Sequence, residues 1–443
     1  MKSDDAVADV AIIGGGFSGT MMAAQLARRG ISSLLIEGSD RAGRGTAYST
    51  TEDAHLLNVP AQKMSAWSHE PSHFANAVAG EGYGPGDFVP RKRFGTYLTA
   101  ILDEAVASGL VGQLDRRAVR AAPEADGWTI QFSDGSSATA RSLVLAQGNQ
   151  PPDRFRAGDG LPDDLFINDP WSDSGREAIR RVAEEGGDVL IIGTGLTMVD
   201  VVLSLDEAGH GGSILALSRR GQVPHGHAAY EESPVAAEDV PHGSVTSLWR
   251  WLRRRAGRMN WRAAVDSLRP HSHRLWQSLD PAEQRRFIRH ARAWWDVHRH
   301  RIAPEISARL KGLVAGGRLQ VMAGRIVSIE AGNPGLDVVI KRRGTDQGRT
   351  RHFALAINCT GPLGAIEHSE DGVIRTMLGA GLARPDALGM GLAVDARSRI
   401  EGARRAWALG PLAKGAYWEI VAVPDIREQV ALVADDMARE LGR

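Results

Sequence analysis

Residues 10–40 read VAIIGGGFSGTMMAAQLARRGISSLLIEGSD, and this stretch decides the fold. A short apolar run leads into a glycine-rich turn, a helical pattern and a second apolar run that ends at Glu37. This order predicts a strand, a tight turn, a helix and a second strand. Such a unit is typical of an α/β, Rossmann-like domain that binds a dinucleotide.

The turn has the G-x-G-x-x-G spacing in Gly14, Gly16 and Gly19, with Phe17 and Ser18 between the last two glycines. The first glycine permits the tight turn, the second lets backbone approach a pyrophosphate, and the third lets the helix pack closely on the strand. The N-terminus of the helix then offers free N–H groups to the anion. We therefore predict that these residues bind a dinucleotide.

Glu37 ends the second strand, at about the spacing of roughly 20 residues that places an acid on the ribose hydroxyls of a dinucleotide. A carboxylate at this position would repel a 2′-phosphate, so the first site is predicted to take a dinucleotide that lacks one. The alternative is a glycine-rich turn in an unrelated α/β unit.

The chain has 443 residues, enough for two or three domains. Its 53 basic residues balance its 53 acidic residues, so bulk charge does not indicate nucleic acid or an anionic membrane as a partner. Cys359 is the one cysteine, which excludes an intramolecular disulfide, a C-x-x-C pair and a cysteine-cluster metal site.

Two further features of the sequence bear on its location. Residues 1–9 are polar and acidic and lead directly into the first strand. We find no run of about 18 apolar residues of the kind that spans a membrane. Together with the cysteine content, these features predict a cytoplasmic protein.

The strand, turn, helix and strand recur at residues 188–217. Gly193, Gly195 and Thr197 stand in the second turn, and Met198 replaces the third glycine. The second unit ends in Ser218, Arg219 and Arg220 where the first ends in an acid, and an arginine pair can bind the 2′-phosphate of NADPH. The alternative is a pair of solvated arginines on a polar turn.

The loop after the first unit is long enough to carry function. Arg44 and Gly45 are predicted to close over a cofactor phosphate, and Asn58 to reach a ring edge, with an ordinary surface loop as the alternative. A β meander follows and ends in a glycine exit at Gly148, and a second meander ends in a similar exit at residues 358–362.

These repeats predict two Rossmann-like dinucleotide-binding domains with β meanders and a helical insertion. We expect residues 1–186 and 355–443 to form the first, discontinuous domain. We expect residues 187–354 to form the NADPH-binding domain, with the insertion at about 222–316.

The insertion is rich in arginine and tryptophan at helical spacing, typical of a packed helical subdomain. We predict that it lines a substrate pocket at the domain interface. Its paired histidines, such as His298 and His300, are two residues apart and would point to opposite sides of a helix, so we expect no metal. The tail has a glycine turn at Gly410 and a closing helix, which either faces the first cofactor or only completes the first domain.

Seven segments together resemble the FAD/NAD(P)-binding oxidoreductases related to class B flavin monooxygenases and N-hydroxylases. These segments are GGGFSG with Glu37, GRGTAYST, HLLNVPAQKMS, LAQGNQPP, NDPW, INCTGP and LGPLAKGAYWEIVAVPDIR. The resemblance covers nearly the whole chain. It implies FAD contacts and NADPH contacts at two separate sets of residues. The FAD set is Gly14, Gly16, Gly19, Glu37, Arg44, Gly45, Asn58 and Gly410, and the NADPH set is Gly193, Gly195, Thr197, Arg219 and Arg220.

The resemblance implies that NADPH reduces FAD and that the reduced flavin reacts with O2 to hydroxylate a small molecule. The sequence lacks the F-x-G-x-x-x-H-x-x-x-W-P pattern of Baeyer-Villiger enzymes between the two fingerprints, which argues against ketone oxygenation. Because the cofactor carries the chemistry, no catalytic residue is named. The alternatives are a flavin reductase or dehydrogenase that passes electrons to another acceptor, and a non-catalytic flavin sensor.

Overall fold

Two seven-stranded sheets organise the protein, whose computed structural model describes residues 8–443. Most of the polar N-terminal stretch therefore lies outside the described residues. The strands are β1 (Ala8–Ile13), β2 (Ser33–Glu37), β3 (Val111–Asp115), β4 (Ala118–Glu124), β5 (Gly127–Phe132), β6 (Ser137–Leu145), β7 (Phe166–Ile167), β8 (Val189–Ile192), β9 (Ile214–Ser218), β10 (Leu319–Ala331), β11 (Leu336–Arg342), β12 (Gly348–Phe353), β13 (Leu355–Asn358) and β14 (Ala406–Ala408).

Helices cover both sheets and fill the space between the second sheet and the C-terminal segment. They are α1 (Phe17–Arg28), α2 (Gly45–Tyr48), α3 (His73–Ala79), α4 (Arg91–Ala107), α5 (Asp173–Glu185), α6 (Leu196–Glu207), α7 (Val245–Ala256), α8 (Trp261–Asp266), α9 (Ser272–Ser278), α10 (Pro281–Arg286), α11 (Arg292–Arg299), α12 (Pro304–Ala315), α13 (Gly372–Gly379), α14 (Lys414–Tyr417) and α15 (Val423–Glu440).

The first sheet is built on the predicted strand, turn, helix and strand. Its order is β3-β2-β1-β6-β5-β4, with β14 beside the end of β6. β1 pairs in parallel with β2 and β6, and β4, β5 and β6 form the antiparallel meander. Val10 and Ile12 of β1 have no exposed surface, as expected of a parallel strand covered on both faces.

The second sheet repeats this arrangement in the order β12-β11-β10-β9-β8-β13-β7. β8 pairs in parallel with β9 and β13, as β1 does with β2 and β6. β10, β11 and β12 form the second antiparallel meander. The predicted α/β class with two Rossmann-like units is therefore confirmed.

The division between the two units differs from the predicted boundaries. The second sheet includes β7 and β13, which the boundaries at 186 and 355 assigned to the first domain. β13 lies beside β8 because Ala354 N donates to Asp188 O at 2.8 Å and Cys359 N donates to Ile192 O at 2.7 Å. The glycine exit after β13 thus belongs to the second unit, as the exit after β6 belongs to the first.

The insertion is helical, as predicted, but it ends earlier than residue 316. Helix α12 packs its buried Ile306, Leu310 and Leu313 into the core of the second sheet and connects to β10. The helices α7–α11 instead pack on one another and on the C-terminal segment, where the Trp276 and Trp418 rings stack at a centroid distance of 4.9 Å. The insertion therefore joins the second unit to the tail of the first.

The closing helix α15 lies against α1. Its buried Ile426, Val430 and Val433 share one core with Met22 and Leu26 of α1. This packing brings the N-terminus of α15 to the side of the first sheet where the first glycine-rich turn lies.

Candidate active site

A cavity of about 1850 Å³ extends from the first glycine-rich turn, past helix α6 of the second unit, to the insertion. Its volume exceeds the roughly 300–1,000 Å³ of a pocket for one drug-sized ligand, so it has room for more than one ligand. The predicted cofactor residues that line it are Gly14, Gly16, Phe17, Ser18, Glu37, Arg44, Gly45, Asn58, Gly148 and Thr197.

The first turn brings backbone segments into contact that only glycine allows. Gly14 has φ +106°, and a Cβ there would lie 2.5 Å from the carbonyl oxygen of Ala146 at the end of β6. A Cβ on Gly19 would lie 1.8 Å from the carbonyl oxygen of Gly14, so α1 packs directly on the turn. Gly19 itself does not line the cavity, which fits its predicted role in packing.

The loop after β2 folds back over the turn at Gly45. Gly45 has φ +56°, and a Cβ there would lie 2.8 Å from the Cα of Gly16. Gly16 is also the N-cap of α1 and provides no side-chain cap. The first N–H groups of α1 therefore have no side-chain cap, the arrangement that suits an anion.

Glu37 lines the cavity with a carboxylate that is already fixed in place. One oxygen accepts from Gly15 N at 2.7 Å, and the other accepts from Ser39 N at 3.1 Å and from the Ser39 hydroxyl at 2.9 Å. These bonds hold the carboxylate rigidly at the end of β2. An acceptor with remaining lone pairs in this position suits a hydroxyl donor.

The predicted ring-edge residue Asn58 is held by the insertion. The backbone carbonyl oxygen of Asn58 lies 3.0 Å from Nε2 of His227, and His227 also lines the cavity. Burial lowers the pKa of His227 to about 4, so the ring is neutral at pH 7. A neutral imidazole facing a carbonyl oxygen carries its proton on Nε2, so His227 donates this hydrogen bond.

Arg44 lines the cavity and donates from Nη2 to the carbonyl oxygen of Asp40 at 2.8 Å. This bond keeps the guanidinium on the loop that also carries Gly45. Gly148, in the turn that follows β6, lines the cavity with φ +67°.

The predicted residue Gly410 lies beneath the cavity. It is buried, its N–H donates to Gln429 Oε1 at 2.8 Å, and a Cβ on it would lie 2.9 Å from the Ser18 hydroxyl. The following residue, Pro411, lines the cavity instead.

The second turn repeats the backbone geometry of the first. Gly193 has φ +121°, and a Cβ there would lie 2.2 Å from the carbonyl oxygen of Cys359 at the end of β13. Gly195 is the N-cap of α6 and has no atom within 4 Å of an added Cβ. Met198, in the place of the third glycine, is fully buried. Of the predicted residues in this turn, Thr197 lines the cavity.

Ser218, the last residue of β9, and the two arginines that follow it do not line the cavity. The Ser218 hydroxyl accepts from Gly221 N at 2.9 Å and bonds the Thr194 hydroxyl at 2.9 Å, which fixes the turn. Arg219 is exposed and makes no ion pair with any residue from 8 to 443. Arg220 donates to the carbonyl oxygen of His290 at 3.4 Å. Of the predicted NADPH-binding residues, the structure brings only Thr197 to the cavity wall, and Arg219 is exposed beyond the end of β9.

Residues of the insertion also line the cavity. The side chains here include Tyr230, Asp266, Arg299, His300 and Arg301. Sequence reasoning missed these residues. The segment RHR at 299–301 carried a signal in its density of charge, but it was interpreted only as part of a packed helix.

The lone cysteine and the histidine pairs form no additional reactive site in the described chain. Cys359 is buried, and burial raises the pKa of its thiol. His225 and His298 have ring centroids 4.6 Å apart and pack with Trp261. Across residues 8–443, no three His, Cys, Asp or Glu side chains are grouped to hold a metal ion.

Comparison with known sequences finds a match in the first of the two units. Residues 11–150 match the FAD-NAD(P)-binding family model. The matched region contains the first turn, the loop with Gly45 and the exit at Gly148. The match confirms the resemblance that the sequence motifs indicated.

A curated protein shares part of this sequence. The chain is 28% identical to the ubiquinone hydroxylase of Rhodospirillum rubrum over 182 residues, which are 36% of this chain and 41% of that protein. The matched segment therefore spans less than half the length of the curated relative.

Solved structures share the whole fold. The cadaverine monooxygenase of Erwinia amylovora, solved with FAD, has a TM-score of 0.69 at 11% identity and covers 99% of this chain and 95% of its own. The ornithine hydroxylase of Pseudomonas aeruginosa has a TM-score of 0.68 at 14% identity, over 98% of this chain and 100% of its own. The ornithine N-hydroxylase of Kutzneria sp. 744, solved with FAD, NADP+ and ornithine, has a TM-score of 0.66 at 16% identity and covers 98% of this chain and 100% of its own.

None of the helices between residues 8 and 443 has the length and apolar character needed to cross a membrane.

Proposed function

We propose that the protein is an FAD- and NADPH-dependent monooxygenase that hydroxylates a small molecule, with an amine as the first substrate class to test. One observation carries the proposal. A single cavity connects the first glycine-rich turn, the start of helix α6 after the second turn, and a wall of polar side chains from the insertion. In this proposal FAD binds at the first turn, NADPH binds at the second turn, and the smaller substrate binds at the insertion wall.

The first unit fits FAD. The approach of Gly45 to Gly16 leaves no space for side chains where a pyrophosphate would meet the start of α1. The fixed carboxylate of Glu37 suits the ribose hydroxyls of a dinucleotide without a 2′-phosphate. We assign Gly14, Gly16, Phe17, Ser18, Glu37, Arg44, Gly45, Asn58 and Gly148 to this site, with Gly19 and Gly410 in its supporting packing.

The second unit fits NADPH. Gly193 and Gly195 repeat the turn that leaves a helix N-terminus open to a pyrophosphate, and Thr197 lies in the first turn of that helix on the cavity wall. Arg219 and Arg220 follow β9, the strand that corresponds to β2 with its terminal Glu37. The Ser218 hydroxyl accepts from Gly221 N and so fixes the turn that carries the two arginines. A free guanidinium at that position suits the 2′-phosphate.

The bound cofactors would supply hydride transfer and activation of O2. The role of the chain is to position these groups and to exclude water. His227 holds the backbone of Asn58 at the junction of the first unit and the insertion. Val421, Ala422 and Val423, at the start of α15, form an apolar part of the wall near the first turn.

The domain division that we propose follows the sheets. The FAD-binding unit comprises β1–β6 and the segment from β14 to α15, and the NADPH-binding unit comprises β7–β13 with the insertion. We also propose that the protein acts on a small-molecule substrate with O2. We propose that it does so in the cytoplasm, since its single cysteine suits a reducing compartment.

The structural neighbours support hydroxylation over disulfide reduction. A thioredoxin reductase of T. acidophilum shares the fold at a lower TM-score of 0.55. A dithiol mechanism needs two cysteines, and this chain has only the buried Cys359.

The proposal is tested by following oxygen and NADPH together. Purified, FAD-loaded protein is mixed with NADPH and with ornithine, lysine or cadaverine, and NADPH oxidation, O2 uptake and hydroxylamine formation are measured. Production of a hydroxylated amine in proportion to NADPH supports the proposal with an amine substrate. NADPH oxidation that transfers electrons to a quinone or a dye, with no oxygen in any product, would assign the protein to the flavin reductases.

A further inference from the structure

Two buried arginines on the insertion wall carry hydrogen-bond donors with no partner. The Arg299 and Arg301 side chains are 8% and 4% exposed, and both line the cavity. Arg299 Nη2, Arg301 Nε and Arg301 Nη1 are buried and have no hydrogen-bond partner among the described residues. A buried charged donor without a partner costs free energy, so a ligand acceptor is expected here.

The acidic partners of these arginines are already shared with other donors. Arg299 Nε donates to Glu419 Oε2 at 3.2 Å, and Glu419 Oε1 accepts from Trp295 Nε1 at 2.7 Å. Arg301 Nη2 donates to both oxygens of Asp266, which also accepts from the Tyr230 hydroxyl. Each arginine is thus fixed at one edge by an acid of the protein and keeps its other donors for a ligand.

The charge around these side chains is positive. Burial lowers the pKa of both His227 and His300, so neither adds a charge at pH 7. Burial raises the pKa of Asp425, whose Oδ2 is also buried without a hydrogen-bond partner in the described chain. The charged groups that face the two arginines are, on the basic side, Arg262 and Arg269, and, on the acidic side, Asp266, Glu419 and Asp425. With Arg299 and Arg301 included, guanidinium groups outnumber carboxylates.

We infer that Arg299 and Arg301 bind a compact oxyanion of the substrate, a carboxylate in the simplest case. The planar donors of a guanidinium match the two oxygens of a carboxylate. The pair lies on the insertion wall with His227, whose ring holds Asn58 of the first unit. The substrate is therefore a small molecule with an anionic group at one end and the position to be oxidised at the other.

This inference rests on the proposed function in one respect, because it assigns the anion to a substrate. The same donors would suit a phosphate of NADPH, and the experiment separates the two sources. It measures binding alone, so it stands whether or not hydroxylation is found.

The experiment uses FAD-loaded protein and thermal unfolding at constant ionic strength. Acetate, succinate and sulfate are each compared with chloride, and NADP+ is titrated separately. The variants are Arg299→Lys and Arg301→Lys, which keep a positive charge beside Glu419 and Asp266 but lose the planar pair of donors. The matched control is Arg253→Lys, at an exposed position on α7.

We expect an oxyanion to raise the unfolding temperature of the wild-type protein above its value in chloride, and each buried-site variant to weaken that binding about tenfold or more. The control variant Arg253→Lys should bind the oxyanion as the wild-type protein does. The two buried-site variants should bind NADP+ as the wild-type protein does. Loss of NADP+ binding in the same variants would assign the arginines to the cofactor. No stabilisation of the wild-type protein by any of the three anions would overturn the inference without recourse to the variants.

Discussion

Arg91 and Asp200 form a two-bond ion pair that joins the first unit to the second. Arg91 Nη1 donates to Asp200 Oδ2 at 2.7 Å, and Nη2 donates to Oδ1 at 3.0 Å, with the side chains 15% and 8% exposed. Arg91 begins α4 and Asp200 lies on α6, and both line the cavity. The pair therefore fixes the distance between the two units across the candidate active site.

Asp200→Asn should destabilise the protein by about 3 kcal/mol, because it leaves the buried guanidinium without its counter-charge. Urea unfolding measures the change. The control is Asp53→Asn, which removes the ion pair between Asp53 and Lys92. These side chains are 73% and 32% exposed, so the variant should lose less than about 1 kcal/mol of unfolding free energy. Equal losses of unfolding free energy in the two variants would show that the pair between the units stabilises the protein no more than an exposed ion pair does.

Gly45→Ala should prevent FAD binding while the chain still folds. The added Cβ would lie 2.8 Å from the Cα of Gly16, in the narrow space where backbone must approach the cofactor. Gly82→Ala is the matched control, since Gly82 also has a positive φ of 90° but has no atom within 4 Å of a Cβ. Flavin absorbance per protein measures the result. Full flavin content in Gly45→Ala would refute the assignment of this turn.

Arg219→Ala should raise the KM for NADPH about tenfold or more and change the KM for NADH little, because only NADPH carries the 2′-phosphate. Steady-state kinetics with both nucleotides measure this. An equal change for both would mean that the arginine does not bind the 2′-phosphate. Arg254→Ala, at an exposed position on α7, is the control for a general loss of positive charge.

His227 should contribute to acid sensitivity. Burial lowers the pKa of His227 from 6.5 to about 4, so the unfolded chain takes up this proton first as the pH falls. The contribution to stability is therefore complete above about pH 6.5 and is lost between about pH 6.5 and pH 4. His227→Gln should flatten the dependence of the unfolding temperature on pH in this window. Unchanged dependence, matching that of the exposed control His242→Gln, would contradict the neutral buried state.

Local sequence patterns predicted the strand, turn, helix and strand on which each sheet is built. The turn at Gly14 and its repeat at Gly193 each need backbone conformations and close approaches that glycine provides, so the spacing alone indicates the strand, turn and helix. The apolar runs beside these turns become the buried parallel strands. Both meanders follow from the same alternating patterns.

The insertion wall was less predictable because its contacts are distant in sequence. Arg301 bonds Asp266 and Arg299 bonds Glu419, 35 and 120 residues away. No local pattern pairs these residues. The boundary at residue 355 differed from the structure for a related reason, since the apolar run of β13 fits either sheet until its pairing with β8 is known.

The central claim is that electrons pass from NADPH to FAD within one chain. The most direct test records the visible spectrum of the purified, flavin-loaded protein and then adds NADPH or NADH in the absence of oxygen. We predict that the flavin band bleaches with NADPH, and with NADH more slowly or not at all. A bound flavin that stays oxidised with both nucleotides would contradict the account and favour a non-catalytic flavin-binding protein.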